Sequence, residues 1–202
     1  MAAVNTSHSS VDMPTPESEY KGSTGTGGVK NHVVVDVVLR VMLFGTSLVA
    51  MILMVTSKQT KLVPVAPGMA IPMVANFNQT PSFIYFVAAM SVACLYSLIT
   101  GALSVLALLK LKRVSMKLMF HLAILDTLFL GILASATSAA GAVGYIGYKG
   151  NSHTRWNEVC NTFGSFCGHV AGSISVSLLP SIALLLLVWL SIFEFSKKIR
   201  LN

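Results

Sequence analysis

Two residues carry opposite charges inside stretches that are otherwise almost wholly apolar. Arg40 stands in the run from Val33 to Ser57, and Asp126 in the run from Leu118 to Tyr148. A charge well inside a membrane-spanning helix costs at least about 2.5–3.5 kcal/mol, so it faces protein and keeps a partner. Helices built from these two runs would cross in the same direction. At about 1.5 Å rise per residue, the two charges differ in depth by about one turn. A long arginine side chain covers that distance. The spacing therefore predicts an Arg40–Asp126 ion pair, and a guanidinium can hold a carboxylate with two hydrogen bonds where an ammonium cannot. Such a pair can fix helix register and assembly, or it can serve as a proton or ion site. Transport sites usually bring further polar groups to the midplane. The centres of the second and fourth apolar runs offer mainly Ser and Thr, which favours the structural role.

Cys160 and Cys167 are a second candidate pair, with six residues between them in Trp156-Asn-Glu-Val-Cys-Asn-Thr-Phe-Gly-Ser-Phe-Cys167. Disulfides persist in the secretory path and outside the cell. A bridge here would pin a loop to the start of the fourth run; two unpaired thiols are the alternative. Cys94, in mid-run, reads as a small packing residue. Asn78-Gln-Thr80 fits the N-glycosylation pattern, with Pro81 following it. His153 and His169 alone make a weak zinc case, so no metal and no cofactor is expected. The sequence has no H-E-x-x-H, Walker A loop, G-x-S-x-G or dinucleotide fingerprint. An enzyme is not expected.

The elements that position these residues follow from composition. Of 202 residues, 54% are hydrophobic and 10% charged, and the mean hydropathy is +0.74. Soluble domains are nearer about 25% charged, and a small fold has too little interior to hide so much apolar surface. The apolar residues cluster into four runs, at about 33–57, 82–109, 118–146 and 167–193. Each can cross roughly 30 Å of hydrocarbon as a helix. The runs are continuous rather than alternating, which argues against a barrel. The expected fold is an all-α integral membrane four-helix bundle over 33–195. A disordered N-terminal tail (1–32, polar and Gly/Ser/Thr-rich) and a short C-terminal tail (196–202) flank it. No cleaved signal peptide is expected.

Basic residues set the orientation. Lys110, Lys112, Arg113 and Lys117 lie between the second and third runs, and Lys197, Lys198 and Arg200 follow the fourth. The other two loops hold only Lys58 with Lys61, and Lys149 with Arg155. The denser segments belong in the cytoplasm, which puts both termini there. Much of the net charge of +7 is then topogenic, and it can also attract lipid headgroups. No basic face with a nucleic-acid-binding fold is visible.

Lipid gives helices no hydrophobic reason to associate, so small residues at spacing four are informative. The second run carries Ala89, Ala93, Ser97 and Gly101; the third carries Ala136, Ala140 and Gly144, with Gly131, Ser135 and Ala139 on a neighbouring row. The fourth opens on Gly164, Gly168 and Gly172. These rows predict close helix contacts, within one subunit in preference to between subunits. Pro180 removes a backbone donor and is expected to kink the fourth helix.

Together these residues resemble a plant membrane family, the Casparian strip membrane domain protein-like (CASP-like) proteins, which are similar to the four-helix MARVEL proteins. The resemblance runs from about Val33 to Phe193. Its marks are Arg40, Asp126, Thr80-Pro-Ser-Phe-Ile-Tyr-Phe86, and Gly150-Asn-Ser-His-Thr-Arg-Trp156 running on to Cys160 and Cys167. Asn151 and Trp156 belong to this last segment, which looks most like the first CASP-like subgroup. The resemblance implies a multi-pass plasma-membrane scaffold forming homo- and hetero-oligomers in the lipid bilayer and organising a membrane subdomain. It also implies recruitment of secreted wall-modifying enzymes. Platform-forming members carry an acidic, Phe-rich stretch in the first outer loop. Here that position reads Val74-Ala-Asn-Phe-Asn-Gln-Thr-Pro-Ser82, which implies a scaffold acting elsewhere than in Casparian strips. A small channel or transporter using Arg40 and Asp126 is the competing reading.

Overall fold

The computed structural model describes residues 27–66, 68–110, 116–154 and 156–200. Four helices carry the architecture: α1 (Gly27–Val55), α2 (Pro81–Lys110), α3 (Met116–Lys149) and α4 (Gly164–Arg200). All four are long and apolar enough to cross a membrane. Two ends differ from expectation. Helix α1 already begins at Gly27, inside the stretch read as a tail, and α4 runs to Arg200, through most of the C-terminal tail. Here His32 of α1 and Glu194 of α4 come within 3.4 Å, close but not aligned for a hydrogen bond, so the helix ends lie against each other. The rest of the N-terminal tail, with Lys112, Arg113 and Arg155, lies outside the described residues.

The helices form a ring. Helix α1 packs on α2 and α4, and α3 packs on α4 and α2, so α1 and α3 lie across the diagonal. Large side chains from every helix fill the centre: Leu43, Phe86, Met90, Leu133, Leu184 and Leu187 are fully buried. Equally apolar residues point outward, among them Leu95, Ile99, Leu128 and Trp189, each more than half exposed. Water would penalise that surface; lipid does not. Some hydroxyls turn inward, Ser47, Thr137, Ser173 and Ser177 among them. Ser173 donates to the Ala50 carbonyl at 2.6 Å, and the hydroxyls of Thr137 and Ser177 meet at 3.1 Å. Each of these bonds ties two helices where no water competes. Helix α4 continues through Pro180, whose ring is buried.

Among the described residues the fold is all-α apart from one hairpin in the first inter-helix loop. Strand β1 (Lys58–Ala66) pairs antiparallel with β2 (Met69–Asn76). Gly68, in the turn, takes a φ of 84° that side chains avoid. A single 3-10 turn over Phe77–Gln79 then leads into α2. Pro81 opens that helix, where its fixed φ fits and its missing N–H costs nothing.

Candidate functional site

Arg40 is 3% exposed and Asp126 is fully buried. The Arg40 Nη2 lies 3.5 Å from Asp126 Oδ2, across the diagonal from α1 to α3. This contact is one arm of a larger junction. Arg40 Nε donates to Asp36 Oδ2 at 3.1 Å, one helical turn earlier on α1. Ser104 of α2 donates to the same Asp36 oxygen at 2.6 Å. Tyr96, also on α2, donates its hydroxyl to Asp126 Oδ1 at 2.5 Å, and its ring stacks on Phe129 of α3 with centroids 4.2 Å apart. One guanidinium is therefore shared by two carboxylates, and each carboxylate is also held by a hydroxyl from α2. Three helices meet at this point. Among the described residues, Arg40 Nη1 and the Ser47 hydroxyl are buried without a partner.

Asp36 stands near the start of the first apolar run, where its position alone reads as that of a boundary residue. The structure corrects this: its side chain is 29% exposed and directed at Arg40. The available signal was the spacing of four between Asp36 and Arg40, which puts both on one helix face. Tyr96 and Ser104 were not singled out. A tyrosine in mid-span needs a partner for its hydroxyl, but nothing in the sequence says which helix supplies it. The groups of the junction hydrogen-bond one another.

The small-residue rows divide into two kinds. Ala93 and Ser97 are buried, and a Cβ on Gly101 would stand 3.8 Å from Arg40 Cβ. That row lets α1 and α2 approach where the guanidinium passes. Ala136 and Ala140 are fully buried, and a Cβ on Gly144 would meet Ile174 and Val170 of α4 at 3.4 and 3.7 Å. At Gly168 and Gly172 an added Cβ would have no neighbour within 4 Å. The expectation of close contacts within the subunit does not hold there: the two glycines line an open groove beside Leu53 of α1. Gly131 is likewise open.

The loop between α3 and α4 is built from short-range bonds. Gly150 ends α3 with φ 68°, and its N–H reaches the Ile146 carbonyl at 2.8 Å. A Cβ there would stand 2.8 Å from the Trp156 carbonyl oxygen, so glycine is required twice over. Asn151 and Trp156 exchange both backbone hydrogen bonds, at 2.9 and 3.0 Å. The Asn151 side chain also accepts the His153 N–H. Val159 and Cys160 donate back to the Gly147 carbonyl. Cys160 and Cys167 are joined as a disulfide, with Cα atoms 5.6 Å apart. Trp156 remains 63% exposed. Asn78 is exposed in the 3-10 turn that precedes α2.

A family model described as the Casparian strip membrane protein domain matches residues 30–183. The chain is 52% identical to "CASP-like protein 1D1" of Vitis vinifera over 169 residues, covering 82% of this chain and 79% of that one. It is 44% identical to "CASP-like protein 1D1" of Arabidopsis thaliana over 188 residues, or 92% and 96% of the two chains. With "CASP-like protein 1" of Panax ginseng the identity is 54%, over 72% of this chain and 99% of the relative. No solved structure matches.

Proposed function

The chain belongs to the Casparian strip membrane protein domain family, as a CASP-like membrane protein whose relatives carry first-subgroup names, and from that premise we propose that it is a non-enzymatic plasma-membrane scaffold. It oligomerises, organises a membrane subdomain and recruits secreted wall-modifying proteins. Both termini lie in the cytoplasm, and the hairpin and the disulfide loop face outward. On that side Asn78 is open to glycosylation.

One observation carries the reading. The buried charges hold one another and two α2 hydroxyls, which makes the bundle a fixed unit with little left at the junction to bind a substrate. The unit also presents the open glycine faces at Gly131, Gly168 and Gly172. Close backbone approach there would let helices of neighbouring copies pack. The test is native-membrane imaging of a tagged chain, combined with crosslinking. A scaffold is expected to diffuse slowly and give crosslinked multimers. Free diffusion together with a strictly monomeric solubilised protein would overturn the proposal.

A further inference from the structure

The hairpin is the part of the molecule that the scaffold reading leaves without a task. Its side chains Leu62, Met69, Ile71, Met73 and Val74 are between 42% and 69% exposed. The loop from Thr56 to Ser82 holds two lysines, Lys58 and Lys61, and no acid. The strand register sorts these side chains onto two faces. Gln59, Lys61 and Val63 lie opposite Ala75, Met73 and Ile71; Thr60, Leu62 and Pro64 lie opposite Val74, Pro72 and Ala70.

The first of these faces is the one that rests on the bundle. The Gln59 side-chain oxygen accepts the Phe166 N–H at the start of α4, at 3.0 Å, and Ala75 is 8% exposed. Farther along the same face, Lys61, Ile71 and Met73 are exposed. A strand of this length reaches about 30 Å, against roughly 10 Å between packed helices. The hairpin therefore extends past the helix it rests on. In a membrane, lipid beside that helix would be continuous with lipid on the outward sides of α1 and α2, from which the hairpin springs.

The edges and charges narrow the choice of occupant. Pro72 faces Leu62 and Pro64 faces Ala70, two positions apart and so in the same kind of pair. Proline fits a ladder where its missing N–H would point outward. Each open edge thus lacks a donor, which blunts strand addition. A second hairpin of the same kind would bring lysine against lysine with no acid to pair them. Apolar side chains with nearby lysines and no acid suit a surface with hydrocarbon below and phosphate at its rim. We propose that the hairpin beyond Gln59 and Ala75 lies on the headgroup region of the adjoining leaflet, with Ile71 and Met73 sunk toward the acyl chains and Lys61 at the phosphates.

The test uses the full chain in phosphatidylcholine nanodiscs, with Cys94→Ala and the Cys160–Cys167 bridge kept. Single cysteines are introduced by Met73→Cys and, on the opposite face, by Val74→Cys, and each is labelled with an environment-sensitive fluorophore. The label at position 73 is expected to shift to the blue, to be quenched by lipids with a shallow spin label, and to be shielded from iodide. The label at 74 is expected to remain open to iodide. Ile71→Cys repeats the measurement on the same face should Met73→Cys misfold. In nanodiscs containing phosphatidylglycerol, Lys61→Glu should reduce the lipid quenching at position 73. Labels on both faces open to iodide and untouched by spin-labelled lipid would overturn the proposal, and a soluble protein that then covered them would replace it with a protein-docking surface.

Discussion

The polar junction and the loop between α3 and α4 hold the chain together in opposite ways. At the junction, Arg40 and Asp126 stand 86 positions apart in the chain and are buried in the bundle. In the loop, the disulfide joins positions seven apart, and the backbone bonds around it are equally local. The difference follows from the surroundings. Charge in a low-dielectric interior interacts strongly and is costly to leave unpaired. A few groups there can fix the arrangement of whole helices. A loop exposed to water gains little from an ion pair, so it is ordered by restricting the chain. The junction should therefore control global stability and the loop only its own order.

Arg40→Ala separates the two regimes most widely. It leaves Asp126 buried with only Tyr96 as a partner, at an expected cost of about 3–5 kcal/mol. Thermal unfolding in nanodiscs and delivery to the cell surface should both fall sharply. A simple exchange of charge, Arg40→Asp with Asp126→Arg, should restore less than half of the loss. The new acid on α1 would face Asp36 one turn away, a like-charge pair. Full restoration would show that Asp36 is not part of the junction.

Cys160→Ser with Cys167→Ser removes a constraint worth about 2–3 kcal/mol for so short a loop. The loss should appear as faster amide exchange at Val159, Cys160 and Phe163, whose N–H groups bond within this loop or back to α3. Because the loop is expected to open locally before the helices separate, the bundle's unfolding midpoint should move little. A drop in that midpoint as large as for Arg40→Ala would remove the distinction between the two regions.

Tyr96→Phe comes next. It keeps the ring on Phe129 and deletes the donor to Asp126, so the expected loss is about 2 kcal/mol, in the range for a hydrogen bond to a charged group. The variant should still fold as the same bundle, with a lowered midpoint. An unchanged midpoint would mean that Arg40 alone secures the carboxylate.

Legibility in the sequence followed the same division. The four helices stood out because each run is far more apolar than its flanks. Arg40 and Asp126 stood out because charge is scarce inside such runs. Asp36 and Ser104 were obscure for the opposite reason: polar residues near a span end are ordinary, and only the fold shows them turned inward. The hairpin was missed although Pro67-Gly68 separates two short segments of strand-forming residues. A proline in each segment, Pro64 and Pro72, weakens the strand signal. Spacing also revealed which helix faces are smooth, but not what meets them. Gly144 faces Ile174 and Val170, whereas among the described residues nothing stands within 4 Å of a Cβ added at Gly168.

Asp36→Asn probes where the two regimes meet, and its effect should be the smallest. The amide oxygen can still accept from Arg40 Nε and from Ser104, so shape and hydrogen bonding survive and only the charge is lost. At 29% side-chain exposure, part of that charge's field is already screened. The loss should stay under about 1 kcal/mol, well below that of Asp126→Asn, where no water shares the task. Comparing the two variants in the same nanodiscs measures how steeply the value of a charge rises from the partly exposed end of the junction to its buried end. Equal losses would mean that both carboxylates sit in one electrostatic environment, and that the junction extends to the membrane surface instead of ending below it.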